Sequence, residues 1–109
     1  MEISPGVFVS STETTDWVPD DDPAGEMHEL CRTPEAWAGL SRFPADWTEP
    51  VTWTLERRET VLILEGAARI EIAGGPTLEL AAGQIASIPK GAETTWHLTT
   101  PFKEFWVIT

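Results

Sequence analysis

From residue 50 onward the chain is a succession of short stretches rich in β-branched and aromatic residues, each closed by a glycine or proline turn. The stretches are VTWTL (51–55), ETVLILE (59–65), ARIEIA (68–73), TLELA (77–81), IASI (85–88), TTWHLT (94–99) and KEFWVI (103–108). Between them stand Gly66, the run Gly74-Gly75-Pro76, Ala82-Gly83 and Pro89-Lys90-Gly91. Stretches this short leave no room for a long amphipathic helix, and residue types that suit a pleated surface favour strands. Strands at such close spacing predict an antiparallel sandwich or barrel. Upstream, VFVSS (7–11), MHELC (27–31) and AWAGLSRF (36–43) are expected to add edge strands.

The segment from Thr12 to Glu26 is of another kind. WVPDDDPAGE carries two prolines, a glycine and the run Asp20-Asp21-Asp22, and is expected to form a solvated surface loop. The aspartates lack the spacing of a calcium loop. The chain has 109 residues, enough for a single domain with one core. Eighteen acidic residues against seven basic ones give a net charge of -11, which repels phosphate backbones and anionic lipids. No nucleic acid and no membrane surface is therefore expected as a partner. MEISPGVFVSS has neither a basic start nor a long apolar run, so no signal peptide is expected, and no segment has the apolar length of a membrane span. The lone Cys31 permits no internal disulfide, which makes a reducing cytoplasm the simplest compartment, and it reads as a small core residue. The six tryptophans are expected mostly to fill the core, with one or two lining a cavity.

ETVLILE departs from simple alternation. Val61 and Ile63 share the parity of Glu59, while Leu62 and Leu64 point the other way, so both faces are apolar. A strand with one face on water should alternate. One face is expected to meet the barrel interior and the other a second layer, with a second subunit as the candidate.

Glu59, six residues, then Gly66 resembles the second half of the first cupin motif. Gly83, five residues, Pro89, one residue, then Gly91 resembles the start of the second. The intervening hairpin at Gly74-Gly75 has the length that cupins place between the two. Gly39 in AWAGLSRF, the ETVLILEG core, the AAGQIASIPKGAETTW run and KEF with Lys103 are similar to the small single-domain cupins. That group includes the barrel of (S)-ureidoglycine aminohydrolase and the ethanolamine-utilisation cupin. The resemblance implies an all-β fold, a cupin double-sheet jelly-roll barrel over residues 36–109, with 1–35 supplying strands and an acidic loop packed on it. The glycines and Pro89 have a mechanical reading: Gly66 and Gly83 are expected in tight hairpins, and Pro89 pre-sets a turn before Gly91.

The resemblance also implies where a metal would sit, with two histidines and a glutamate in the first motif and one histidine in the second. Here the positions before Glu59 hold Trp53 and Leu55, or Thr52 and Thr54, and the second-motif position holds Thr94. Only Glu59 remains, whereas a Mn, Fe or Zn site draws on three or four ligands. His97 has the parity opposite to Thr94, Trp96 and Leu98, so it is expected to face outward, and His28 is no better placed. No metal and no other cofactor is therefore expected.

Trp53 (or Thr54), Glu59, Thr94 and Trp96 are expected around the vanished metal. The resemblance places Lys103 near the barrel mouth, with Phe105 and Val107 on its face. Glu59 and Lys103 are then candidates for orienting a polar small molecule, or for acid and base roles if burial shifts their pKa values. A structural ion pair, or a glutamate hydrogen-bonded in place, is the other reading. The functional expectation is a homodimeric small-molecule-binding cupin, a metal-independent enzyme or a binding protein acting on a small polar metabolite. A non-catalytic dimeric sensor or accessory domain is the alternative, since fold does not fix function.

Overall fold

The structure, a computed structural model, describes residues 1–20 and 25–109. Asp21 and Asp22 lie outside the described residues, and with them most of the aspartate run. Ten strands follow in order: β1 (Glu2–Ser4), β2 (Val7–Phe8), β3 (Val18–Pro19), β4 (Glu26–Arg32), β5 (Trp37–Phe43), β6 (Val51–Thr54), β7 (Glu59–Ile72), β8 (Thr77–Ala81), β9 (Ile85–Ile88) and β10 (Glu93–Ile108). No helix occurs among the described residues. The main sheet runs β3-β4-β5-β10-β7-β8, with β6 joined to β10 and β9 joined to β7; β1 and β2 pair only with each other. All pairings are antiparallel. The fold is all-β, as the spacing of turns predicts.

β7 and β10 are longer than the sequence suggests. ETVLILE and ARIEIA are one strand through Gly66, and TTWHLT and KEFWVI are one strand through Pro101. Gly66 is therefore not a hairpin residue. It stands alone against Thr100, Pro101 and Phe102, where the β7–β10 register slips between Ala67↔Thr99 and Glu65↔Lys103. Its φ is +77°, and a Cβ there would lie 2.6 Å from the Pro101 carbonyl oxygen and closer still to that of Thr99. A bulge of this kind turns a strand without ending it. A second slip follows at once, with Leu64 extra between Ile63↔Glu104 and Glu65↔Lys103, and this odd residue exchanges the faces of β7: Glu59, Val61 and Ile63 are buried before it, Ala68 and Ile70 after it. The other turns fall where expected, with Gly74, Gly83 and Gly91 all at positive φ between strands.

β5 is an interior strand between β4 and β10 rather than an edge, and only Val7–Phe8 of VFVSS is extended in a pair. Gly39 explains the depth of β5. A Cβ there would be 3.0 Å from Cζ2 of Trp106 and would collide with the His28 carbonyl, so the missing side chain makes room for the indole. The segment from Ser10 to Trp17 is tied to the outer face of this sheet. His28 Nε2 lies 2.7 Å from Ser10 Oγ, and His28 Nδ1 lies 2.7 Å from the Asp16 carbonyl. Lys103 Nζ donates to the Thr12 carbonyl at 3.1 Å. Trp17 lies under the Arg42 guanidinium, 4.1 Å from the ring centroid. The described part of the acidic loop is thus tied to the sheet, and Val18–Pro19 adds a short strand to β4. Cys31 is half-buried on β4 opposite Ala38, not deep in the core.

The core joins Val51, Leu55, Val61, Ile63, Ile70, Ile88, Trp96, Phe102 and Trp106, with Trp37, Trp47 and Trp53 packed against it. Removing a fully buried aliphatic such as Ile63 should cost about 2–5 kcal/mol.

The bulge gives a direct test. Gly66→Ala must displace two carbonyls and should cost roughly 3 kcal/mol or more in urea unfolding. At Gly83, where a Cβ meets nothing within 4 Å, the same change should cost only the left-handed strain, about 1–2 kcal/mol. Equal losses at the two sites would contradict this account of Gly66.

Candidate functional site

The inner face of the curled main sheet surrounds a cavity of about 110 Å³. β7 brings Glu59, β6 brings Trp53, and β10 brings Trp96, Glu104 and Trp106. Across β5 and β10, Ser41 lies opposite Glu104 and Gly39 opposite Trp106; on β7, Ile63 lies opposite Glu104. Each indole has a fixed partner. Trp53 Nε1 donates to Glu59 Oε1 at 3.2 Å, Trp96 Nε1 to Thr94 Oγ1 at 2.9 Å, and Trp106 Nε1 to Ser41 Oγ at 2.7 Å. Thr94 is 3% exposed, and its hydroxyl donates to the Trp53 carbonyl at 2.5 Å, holding β6 against β10. Its side chain is engaged in structure and does not itself line the cavity.

Of the residues expected at the site, Glu59, Trp53 and Trp96 line the cavity and Thr94 lies beside it. Lys103 and Phe105 do not. The inner face of this part of β10 carries Phe102, Glu104 and Trp106, all buried, so the alternating residues Lys103, Phe105 and Val107 point outward. Lys103 is half-exposed and holds the N-terminal segment, so it is not the partner of Glu59. KEFWVI misleads because both of its faces are apolar, although the even parity of Thr94 and Trp96 carries through Pro101 to Phe102, Glu104 and Trp106. The residue missed is Glu104, whose one sequence signal is that it shares even numbering with Thr94 and Trp96. A carboxylate among Phe and Trp is otherwise assigned to solvent.

The two carboxyls are in unlike settings. Glu59 is 6% exposed, and burial pushes its pKa up to about 7, opposed by the Trp53 hydrogen bond. Glu104 is 8% exposed; burial raises its pKa well above the ordinary value, and the Glu59 charge raises it further. Glu104 Oε2 is buried without a hydrogen-bond partner, an arrangement native proteins rarely leave unexplained. At neutral pH the cavity therefore holds one carboxyl poised near its midpoint and a second whose pKa is raised by burial and by the first.

The residues do not fit the metal that the barrel type implies. Trp53 and Leu55 are apolar, the Thr94 hydroxyl is occupied, and among the described residues no three His, Cys, Asp or Glu side chains converge on a point. His97 sits on the outer face, bonded to Glu71. His28 lies under the N-terminal segment.

Comparison with known proteins agrees with this architecture. The sequence pattern of the EutQ-like cupin domain matches residues 50–105. Among solved structures, one described as ethanolamine utilization protein Q from Salmonella typhimurium superposes with a TM-score of 0.78 at 22% identity, covering 95% of this chain and 86% of its own. An RmlC-like cupin from Shewanella frigidimarina gives 0.72 at 17% identity over 91% and 86%. KdgF from Halomonas gives 0.70 at 20% identity over 94% and 93%. At these identities the structures speak for the fold alone. No curated protein matches the sequence.

Raised carboxyl pKa values make a signed prediction. A group whose folded pKa exceeds its unfolded value stabilises the fold at low pH, and that contribution is lost as pH rises from about 4.5 through the folded pKa. For Glu59 the loss above pH 7 is roughly 3 kcal/mol. Glu104→Gln should remove the Glu104 penalty. In urea unfolding the variant should match the wild type near pH 5 and be the more stable of the two at pH 8. Identical pH slopes would show that Glu104 is ionised without cost.

Proposed function

The chain belongs to the EutQ-like cupin family, and from that premise we propose that its barrel is a binding site for a small polar metabolite, with Glu59 and Glu104 as its working groups. The observation that carries the reading is Glu104: a buried carboxyl oxygen with no partner, opening on a cavity that the fold maintains. A group of that kind costs about 1–3 kcal/mol unless something meets it, and a ligand is the partner such a cavity admits. Glu59, near its midpoint at pH 7, is able both to give and to take a proton. The pair therefore supports acid–base chemistry on a bound molecule without a metal. A sensor or accessory barrel with no ligand chemistry would be favoured by a wholly apolar interior, and two carboxyls argue against it. The likeness to (S)-ureidoglycine aminohydrolase seen in the sequence puts amino and ureido compounds first among candidates.

We further propose a homodimer. The N-terminal segment is tied over part of the outer sheet, but on the neighbouring β7–β9 surface Ile85 is 71% exposed beside half-buried Leu62. Apolar residues grouped in this way are what a second copy would cover. Light scattering at micromolar concentration should give twice 12.0 kDa, and Ile85→Lys, which disturbs no core contact, should give the monomer. A wild-type monomer would end this proposal.

Occupancy of the cavity should quench Trp53 and Trp96 fluorescence. Screened against a panel of small polar metabolites, the wild type should show saturable quenching by at least one member. Glu59→Gln should abolish it with the circular dichroism spectrum unchanged. A folded Glu59→Gln protein that binds the same compound equally well would overturn the role given to Glu59.

A further inference from the structure

The cavity has a sign. Its titratable lining residues are Asp20, Glu26, Glu59 and Glu104, and no Lys, Arg or His side chain is among the lining residues described. Glu26 has a cation beside it, Arg42 Nε at 2.9 Å. Glu59 accepts a single bond from Trp53, and Glu104 Oε2 accepts none. The indole N–H groups of Trp53, Trp96 and Trp106 are all committed to protein acceptors, so these rings have π surface left to offer. Carboxyl oxygens are in surplus here and the indole donors are used up.

An anionic ligand would meet like charge in a site of low dielectric. A neutral ligand with one donor would satisfy Glu104 Oε2 and leave the cost of any carboxylate charge in place. A cation with N–H groups does both, and indole rings favour it further through cation–π attraction. Size bounds the choice. A cavity of 150 Å³ admits benzene, so one of about 110 Å³ holds roughly four to six non-hydrogen atoms.

Resting on the reading of the barrel as a small-molecule site, we propose that its ligand is a small organic cation, a primary alkylammonium whose N–H groups meet Glu104 Oε2 and the Glu59 carboxyl among the tryptophans. To hold the cation the carboxyls must ionise, so binding releases protons and tightens as pH rises through neutrality. Asp20 and Glu26 are the other titratable groups facing the cavity, and Glu26 is paired with Arg42.

The test titrates the full chain with n-propylammonium, 1-propanol and propionate at constant ionic strength, at pH 6 and pH 8. Tryptophan fluorescence and amide chemical shifts of β10 residues are the readouts. The ammonium alone should bind saturably, about fivefold or more tighter at pH 8 than at pH 6. Its affinity should fall at least about tenfold in Glu104→Gln and in Glu59→Gln. If either variant fails to fold, the pH dependence of the wild type and the remaining variant decide. Equal or tighter binding of 1-propanol or propionate overturns the cationic ligand and leaves the small-molecule reading standing. Ammonium binding that neither substitution weakens belongs to the acidic surface and likewise overturns it. If none of the three probes binds while the metabolite panel yields a ligand, the cationic inference fails by itself. If the panel and the probes all fail, both readings fall together.

Discussion

The pairing of β7 with β10, bent at Gly66, is the constraint on which the rest of this structure depends. These two strands are the longest in the fold, and between them they hold β5, β6, β8 and β9 in place. One residue on β7 against three on β10 bends the sheet at Gly66, and the extra residue Leu64 beside it turns Ala68 and Ile70 inward where simple alternation would turn them out. Only glycine offers both the positive φ and the absent side chain which the crossing at residue 66 requires. Beyond these slips the register sets Ile63 against Glu104, Val61 against Trp106 and Glu59 against Ile108, which puts Glu59 and Glu104 on one cavity, with Trp53 closing it from β6. Gly39 does the complementary work on β5 by giving Trp106 its space.

Within that frame the electrostatics run against stability. A chain with net charge -11 gains nothing from placing two carboxyls among indole rings, and an apolar replacement of similar volume at Glu104 would make a better core. Neutralisation by protonation is the way the fold tolerates them, and it is why both pKa values rise. Perturbed carboxyls of this sort gather where chemistry or binding is done, though they also occur in structural networks. Glu104 is hard to assign to a network, because its Oε2 has no partner to be networked with.

Much of the fold was legible in the sequence because turns and strand composition are local properties. Gly74, Gly83 and Gly91 mark real turns, the parity of Glu59 with Val61 and Ile63 is the observed inner face, and Thr94 lies inward while His97 lies outward. What was not legible depends on pairing. Gly66 looks like the end of a strand, and its role as a bulge is visible only when β10 lies beside it. KEFWVI has two apolar faces, so alternation could not separate Lys103 and Phe105 from Glu104 and Trp106. The mistake moved the site's second charged group from a lysine to a glutamate. The role of Lys103 as a tie to Thr12 crosses most of the chain, a contact that no local pattern encodes.

The central claim is that the barrel raises the pKa of two buried carboxyls above the ordinary range, leaving them ready for a ligand that supplies donors or charge. Carbon-13 NMR of the glutamate side-chain carboxyls, assigned through Glu59→Gln and Glu104→Gln, measures this directly. The account predicts that Glu59 titrates with a midpoint of about 7, and that Glu104 titrates well above the surface glutamates and rises less when Glu59 is replaced. Midpoints for both in the ordinary range near 4.5 would contradict it.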